Sequence, residues 1–149
     1  MKKLSLVIAV IVLTSTASFS QIFNPVKWSV ATKKTSATEA VVFIKATIEN
    51  GWHIYSQTVG EGGPIPTSFK FKNGKDFTLV GKTAEPKPKT KFEEVFNMNV
   101  PYFSKEVVFQ QKIKLNNQKA TVAGVVEFMA CDAERCLPPE EYSFTVAIK

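Results

Sequence analysis

Apolar and polar residues alternate along most of this chain with a period of two rather than 3.6. In Val107–Leu115, Val107, Phe109, Ile113 and Leu115 are apolar while Gln110, Lys112 and Lys114 are polar. That pattern predicts a strand with one face buried. Residues 26–33, 40–49, 52–56, 67–71, 77–83, 121–130 and 142–148 read the same way and are rich in Val, Ile, Thr and aromatic side chains. Asn50-Gly51, Asn73-Gly74 and Asn116-Asn117 supply turn residues between them. About eight short strands punctuated by turns, with no amphipathic helix, internal repeat or low-complexity tract, predict an all-β chain folded as a β-sandwich.

Two segments break the alternation. Gly60–Pro66 is a glycine-then-proline turn that delivers the chain into the next strand. Glu85–Lys91 reads as an extended, solvated loop, and it runs into Phe92–Val100, where apolar and acidic residues mix without a period. A bare linker would not carry two phenylalanines, so Phe92–Phe96 is expected to fold back. It then serves either as cover for a sandwich edge or as a lid over a reactive site.

The first twenty residues set the compartment. Lys2-Lys3 precede an apolar run from Leu4 to Leu13, and small and polar residues follow through Ser20. This is the layout of a secretory signal peptide, with an apolar core too short for the roughly 20 residues of a spanning helix. The expectation is a signal peptide over 1–20 and one domain over 21–149, periplasmic or secreted. No cysteine near the cleavage point offers a lipid anchor, and no later run is long enough to span, so no membrane anchor is expected. Loss of Lys2 and Lys3 takes the formal charge from +6 to +4. With Arg135 as the one arginine and no basic stripe interleaved with aromatics, nucleic acid is not an expected partner.

Cys131 and Cys136 are the only cysteines, in the run Cys131-Asp-Ala-Glu-Arg-Cys136-Leu-Pro-Pro139. In an oxidising compartment they are placed to pair. A ring this small removes about 2 kcal/mol of denatured-state freedom, against about 4 to 5 for one spanning a whole domain. It is a poor staple, whereas adjacent cysteines beside charged residues suit thiol–disulfide exchange; at this level staple and switch both stand. Asp132 and Glu134 should raise a neighbouring thiol's pKa and Arg135 should lower it, with the balance open. Leu137-Pro138-Pro139 forbids a helix after the second cysteine, which excludes the helix-activated site of a thioredoxin fold.

The cysteine run ending in a double proline, with Gly51-Trp52-His53-Ile54-Tyr55 upstream and Phe92–Phe96 between, resembles the N-terminal periplasmic domain of the thiol:disulfide interchange protein DsbD family. The resemblance implies an immunoglobulin-like sandwich with a redox-active cysteine pair at one end. It implies that a thioredoxin-like domain of a membrane electron transporter reduces the pair. The pair in turn reduces periplasmic thioredoxin-like or isomerase proteins, with no cofactor. Cys136 then corresponds to the thiol that forms mixed disulfides and Cys131 to the one that resolves them. Glu93, Glu94, Val95 and Phe96 fall at the family's cap loop, with Val95 or Phe96 as the shielding side chain. His53 and Tyr55 fall where the family places aromatic side chains beside the disulfide. Because the chain ends at Lys149, its electron donor is expected to be a separate polypeptide.

The lone histidine, His53, is expected to be a structural residue or, beside the disulfide, a stabiliser of a thiolate, and no metal site is expected. Trp28 and Trp52 are assigned to the core. The competing function is a non-redox adaptor that binds an envelope protein along a strand edge and keeps a local structural disulfide. Cys131→Ser with Cys136→Ser should leave such an adaptor's binding intact and abolish a relay.

Overall fold

A computed structural model describes residues 23–149, so the expected signal segment over 1–20 lies outside the described residues. Eleven strands are present among them and no helix: β1 (Val26–Lys34), β2 (Glu39–Ile48), β3 (His53–Tyr55), β4 (Ser68–Phe71), β5 (Phe77–Ala84), β6 (Lys89–Glu93), β7 (Met98–Phe103), β8 (Glu106–Leu115), β9 (Ala120–Phe128), β10 (Ala130–Cys131) and β11 (Glu140–Ile148). Two antiparallel sheets, in the orders β1-β2-β8-β5 and β11-β9-β4, form the sandwich, and a third, β10-β3-β7-β6, extends it at one end.

The alternation works as expected where one face is buried. Val42, Ile44 and Ala46 of β2, Val107, Phe109 and Ile113 of β8, and Val122, Val126 and Phe128 of β9 all point into one core. Phe109 lies at its centre, with ring centroids 4.8 Å from Phe69, 5.7 Å from Phe103 and 6.2 Å from Trp28. Trp52 is buried and Trp28 half-buried, stacked on Tyr142. Each fully buried aromatic or branched side chain in such a core contributes about 1.5–3 kcal/mol.

Gln111 is an exception that the alternation does not foresee. It occupies an inward position of β8 and is 1% exposed. Its amide donates to the carbonyls of Lys112 (2.8 Å), Val80 (3.3 Å) and Gly81 (3.4 Å), and its carbonyl accepts from the Thr83 hydroxyl at 2.8 Å. Val80, Gly81 and Thr83 lie at a bulge in β5, where the pairing with β8 slips between Val80 and Ala84 and Gly81 adopts φ +69°. The bulge frees carbonyls from the ladder and the buried amide satisfies them.

The stretch expected as a loop is instead a β-hairpin. β6 and β7 pair from Lys89↔Tyr102 to Glu93↔Met98, and only residues 94–97 form a turn. Its alternation was obscured because β6 is a polar edge strand and β7 carries Pro101. The run expected as one strand over 121–130 breaks at Met129, after which Ala130–Cys131 leave β9's sheet and pair with β3. That break carries the first cysteine out of the sandwich and into the third sheet.

Candidate active site

One face of the third sheet gathers the chemistry. Antiparallel pairing sets Cys131 opposite His53, Tyr55 opposite Tyr102, Lys91 opposite Val100 and Glu93 opposite Met98. Residues directly opposite, and those two apart on a strand, share a face, so all eight line the same side. The intervening Ile54, Ala130 and Phe103 point the other way, into the core. Tyr55, Val100 and Cys131 form a small buried cluster of their own, with Val59, Met98, Tyr102 and Met129 packed around it.

Cys131 and Cys136 form a disulfide with Cα atoms 4.0 Å apart. They face each other across a short hairpin closed by Asp132 N–H to the Arg135 carbonyl and Leu137 N–H to the Ala130 carbonyl, both 2.9 Å. The two cysteines differ in access: Cys131 is 1% exposed, whereas Cys136 lies open to solvent. At the hairpin tip, Asp132 Oδ1 accepts the backbone N–H groups of Glu134 and Arg135, each at 2.8 Å. These two bonds, Glu134's first, hold the Asp132 carboxyl below its ordinary pKa. Arg135 lays its guanidinium over the Trp52 ring, 5.9 Å from the centroid, with Nε 3.9 Å from Asp132 Oδ2. Glu134 is exposed.

Beside the disulfide, three groups converge on one oxygen. Glu93 Oε1 accepts from Lys91 Nζ at 2.7 Å and from the Tyr55 hydroxyl at 3.1 Å, and lies 3.4 Å from His53 Nε2. His53 Nε2 is also 3.2 Å from the Tyr55 oxygen, an arrangement satisfied when Nε2 carries the ring proton. Burial, followed by the charge of Lys91, pushes His53 down to about 4 against the pull of Glu93 and Asp132. Burial and then Glu93 push Tyr55 above its ordinary value. Burial also raises Glu93, but the hydrogen bond and charge of Lys91, the Tyr55 hydroxyl and His53 more than offset it and leave the carboxyl low. At neutral pH Glu93 is therefore a carboxylate, Tyr55 a phenol and His53 an uncharged imidazole. With the disulfide closed, its buried strand position leaves His53 without a positive charge at neutral pH.

Of the residues expected to form a cap, Glu93 ends β6 and reaches the cluster, and residues 94–97 make the turn, with Phe96 N–H donating to the Glu93 carbonyl at 3.2 Å. Val95 is 87% exposed and projects into solvent, whereas Phe96 is half-buried. With Cys136 open, the turn does not seal the disulfide in this conformation. Three contributors escaped the sequence reading: Lys91, Tyr102, whose ring lies 5.4 Å from the Lys91 ammonium, and Trp52 as the seat of Arg135. A period-two count through residues 89–93 would have put Lys91 on the face of Glu93. Among the described residues, no group of three His, Cys, Asp or Glu side chains is arranged to hold a metal ion.

The family model for the thiol:disulfide interchange protein DsbD, N-terminal, matches residues 23–148. The chain belongs to the DsbD N-terminal family. Solved structures agree on the all-β, immunoglobulin-like sandwich. The N-terminal periplasmic domain of ScsB from Proteus mirabilis superposes with a TM-score of 0.64 at 19% identity, over 83% of this chain and 47% of that one. This chain thus spans about half the length of that ScsB chain. The reduced DsbD N-terminal domain from Neisseria meningitidis gives 0.51 at 17% identity, over 78% of this chain and 82% of that one. A complex between the DsbD and PilB N-terminal domains from Neisseria meningitidis gives 0.55 at 15% identity, over 84% and 87%. Comparison with curated proteins finds no match.

In this DsbD N-terminal domain, the face common to Cys131, His53, Tyr55 and Glu93 is built by register alone. A slip of one residue in β3 would turn His53 and Tyr55 into the core and Ile54 out of it.

Proposed function

We propose that this chain is a periplasmic thiol–disulfide exchange domain that relays electrons between a thioredoxin-like donor and disulfide-containing periplasmic partners through Cys131 and Cys136. Export through a signal peptide over residues 1–20 belongs to this reading, with the domain over 21–149. The observation that carries it is the unequal burial of the two cysteines, Cys131 buried and Cys136 exposed. A structural staple gains nothing from an open sulfur, whereas exchange requires one sulfur to be reached and the other to be held back.

In the forward direction, the Cys136 thiolate attacks a partner disulfide and one partner sulfur leaves as a thiolate. The Cys131 thiolate then attacks Cys136 Sγ, which forms the Cys131–Cys136 disulfide and frees the partner's second sulfur. Two electrons have passed to the partner, and the proton of each attacking thiol ends on a departing sulfur. A thioredoxin-like dithiol restores the reduced pair by the same two displacements in reverse. The Neisseria DsbD domain solved in complex with a PilB domain supports a protein partner, and on this reading that partner docks on the disulfide end. In the same reading the turn at 94–97, with Phe96, covers the pair only in a closed state distinct from the one seen here, where Cys136 is open, and a docked partner holds it open.

The test is electron transfer from the reduced protein to an oxidised thioredoxin-like domain, followed by the free thiols on each. Transfer by the native protein and none by Cys131→Ser with Cys136→Ser is expected. Equal behaviour of the two, with partner binding retained, would mark an adaptor instead.

A further inference from the structure

The cysteine hairpin has almost no ladder to hold it. Two backbone hydrogen bonds join its arms, and beyond Leu137 come Pro138 and Pro139, which have no N–H to continue the pairing. What closes the tip is the side chain of Asp132, which takes the N–H groups of Glu134 and Arg135 at 2.8 Å each. Arg135 then fixes the second arm to the sheet by lying on the face of Trp52, itself buried at the entry to β3. No contact in this set uses a sulfur atom, so all of them can persist when the disulfide is opened.

We infer that Asp132 is a positioning residue that keeps the two thiols in register in the reduced protein, and thereby makes the pair a stronger reductant. The inference rests on the relay reading and adds a determinant of its driving force. A dithiol held face to face closes with less loss of chain freedom, which favours the disulfide over the open form and lowers the reduction potential. A like-charge effect is the competing account, because a carboxylate near a thiolate also disfavours the open form. The two part at the isosteric amide: Asn keeps an oxygen for the turn but no charge, whereas Ala keeps neither.

The experiment is a redox titration of the protein, Asp132→Ala and Asp132→Asn in glutathione buffers. About a tenfold loss in the closure equilibrium is expected for Asp132→Ala, which for a two-electron couple is about 30 mV less negative, with Asp132→Asn near the native value. Equal shifts in Ala and Asn, or none in Ala, overturn the inference. A second readout is independent of equilibrium. When the reduced protein meets an excess of a chromogenic aromatic disulfide, one chromophore leaves in a bimolecular step at Cys136 and the second in a first-order step as the ring closes. Asp132→Ala should slow the second step about tenfold and leave the first unchanged; an unchanged second step overturns the inference. Failure of the relay looks different, since the native protein would then show a potential in the structural range whatever stands at position 132.

Discussion

Cys131 and His53 lie directly opposite one another across the β10–β3 pairing, and both are buried, at 1% and 5% exposure. The buried cysteine is thus in register with a histidine that burial keeps uncharged at neutral pH and that Tyr55 links to the Glu93 carboxylate. This line runs from the disulfide to the β6–β7 hairpin beside the packing of Cys131 with Val100 and Met98.

Stability should fall on acidification through His53. Its folded value of about 4 lies below the ordinary 6.5, so between those values the unfolded chain binds the extra proton. The sign follows: stability is full above about pH 6.5, declines as pH falls, and levels below about 4. The span corresponds to about 3 kcal/mol. Glu93, also depressed, adds a further loss at the acid end of the window. Denaturant unfolding at pH 7, 5.5 and 4 checks this, and His53→Phe should flatten the decline; an equally steep curve in that variant would assign the loss elsewhere.

Glu93→Ala should destabilise the domain by about 2 kcal/mol, because Tyr55 and Lys91 lose a charged acceptor. It should also release the β6 arm and its turn from the Tyr55 hydroxyl, while β7 stays paired with β3, and speed reduction of the disulfide by a small non-specific reductant. Urea midpoints and thiol-release rates measure the two effects separately. Lower stability with an unchanged rate would detach the carboxylate from any gating role.

The cap side chains are expected to divide. Phe96→Ala should accelerate reduction several-fold, while Val95→Ala, at a site 87% exposed, should be silent. Equal rates in the native protein and both variants would remove the lid from the account and leave the cysteine chemistry standing.

Gln111→Leu should cost about 1–3 kcal/mol although it looks like a conservative repair of the hydrophobic pattern. It strips partners from the carbonyls of Val80 and Gly81 and from the Thr83 hydroxyl. A neutral or stabilising result in thermal melts would mean that water reaches the bulge.

The sandwich was legible because its strands bury one face, and Val107, Phe109, Ile113 and Leu115 display that in the sequence itself. Gln111 was not, since its place in the core depends on a bulge in a different strand. The cap hairpin was hidden for a related reason: β6 is an edge strand whose Lys89, Thr90 and Phe92 are exposed, so no buried face wrote itself into the composition. The cysteines and their neighbours were legible from spacing, the double proline and the family resemblance. The neutrality of His53 was not, because it follows from burial and from Lys91 arriving from a strand 38 residues further along the chain. Trp52 was rightly placed in the core, but its contact with Arg135 joins two segments far apart in sequence and needed the fold to appear.

The reduction potential of the Cys131–Cys136 couple tests the relay most directly. Equilibration of the protein in graded thiol buffers, with free thiols counted, should give a value between about −180 and −270 mV, where dedicated oxidoreductases lie. A value below about −300 mV would contradict the account and make the pair a structural disulfide.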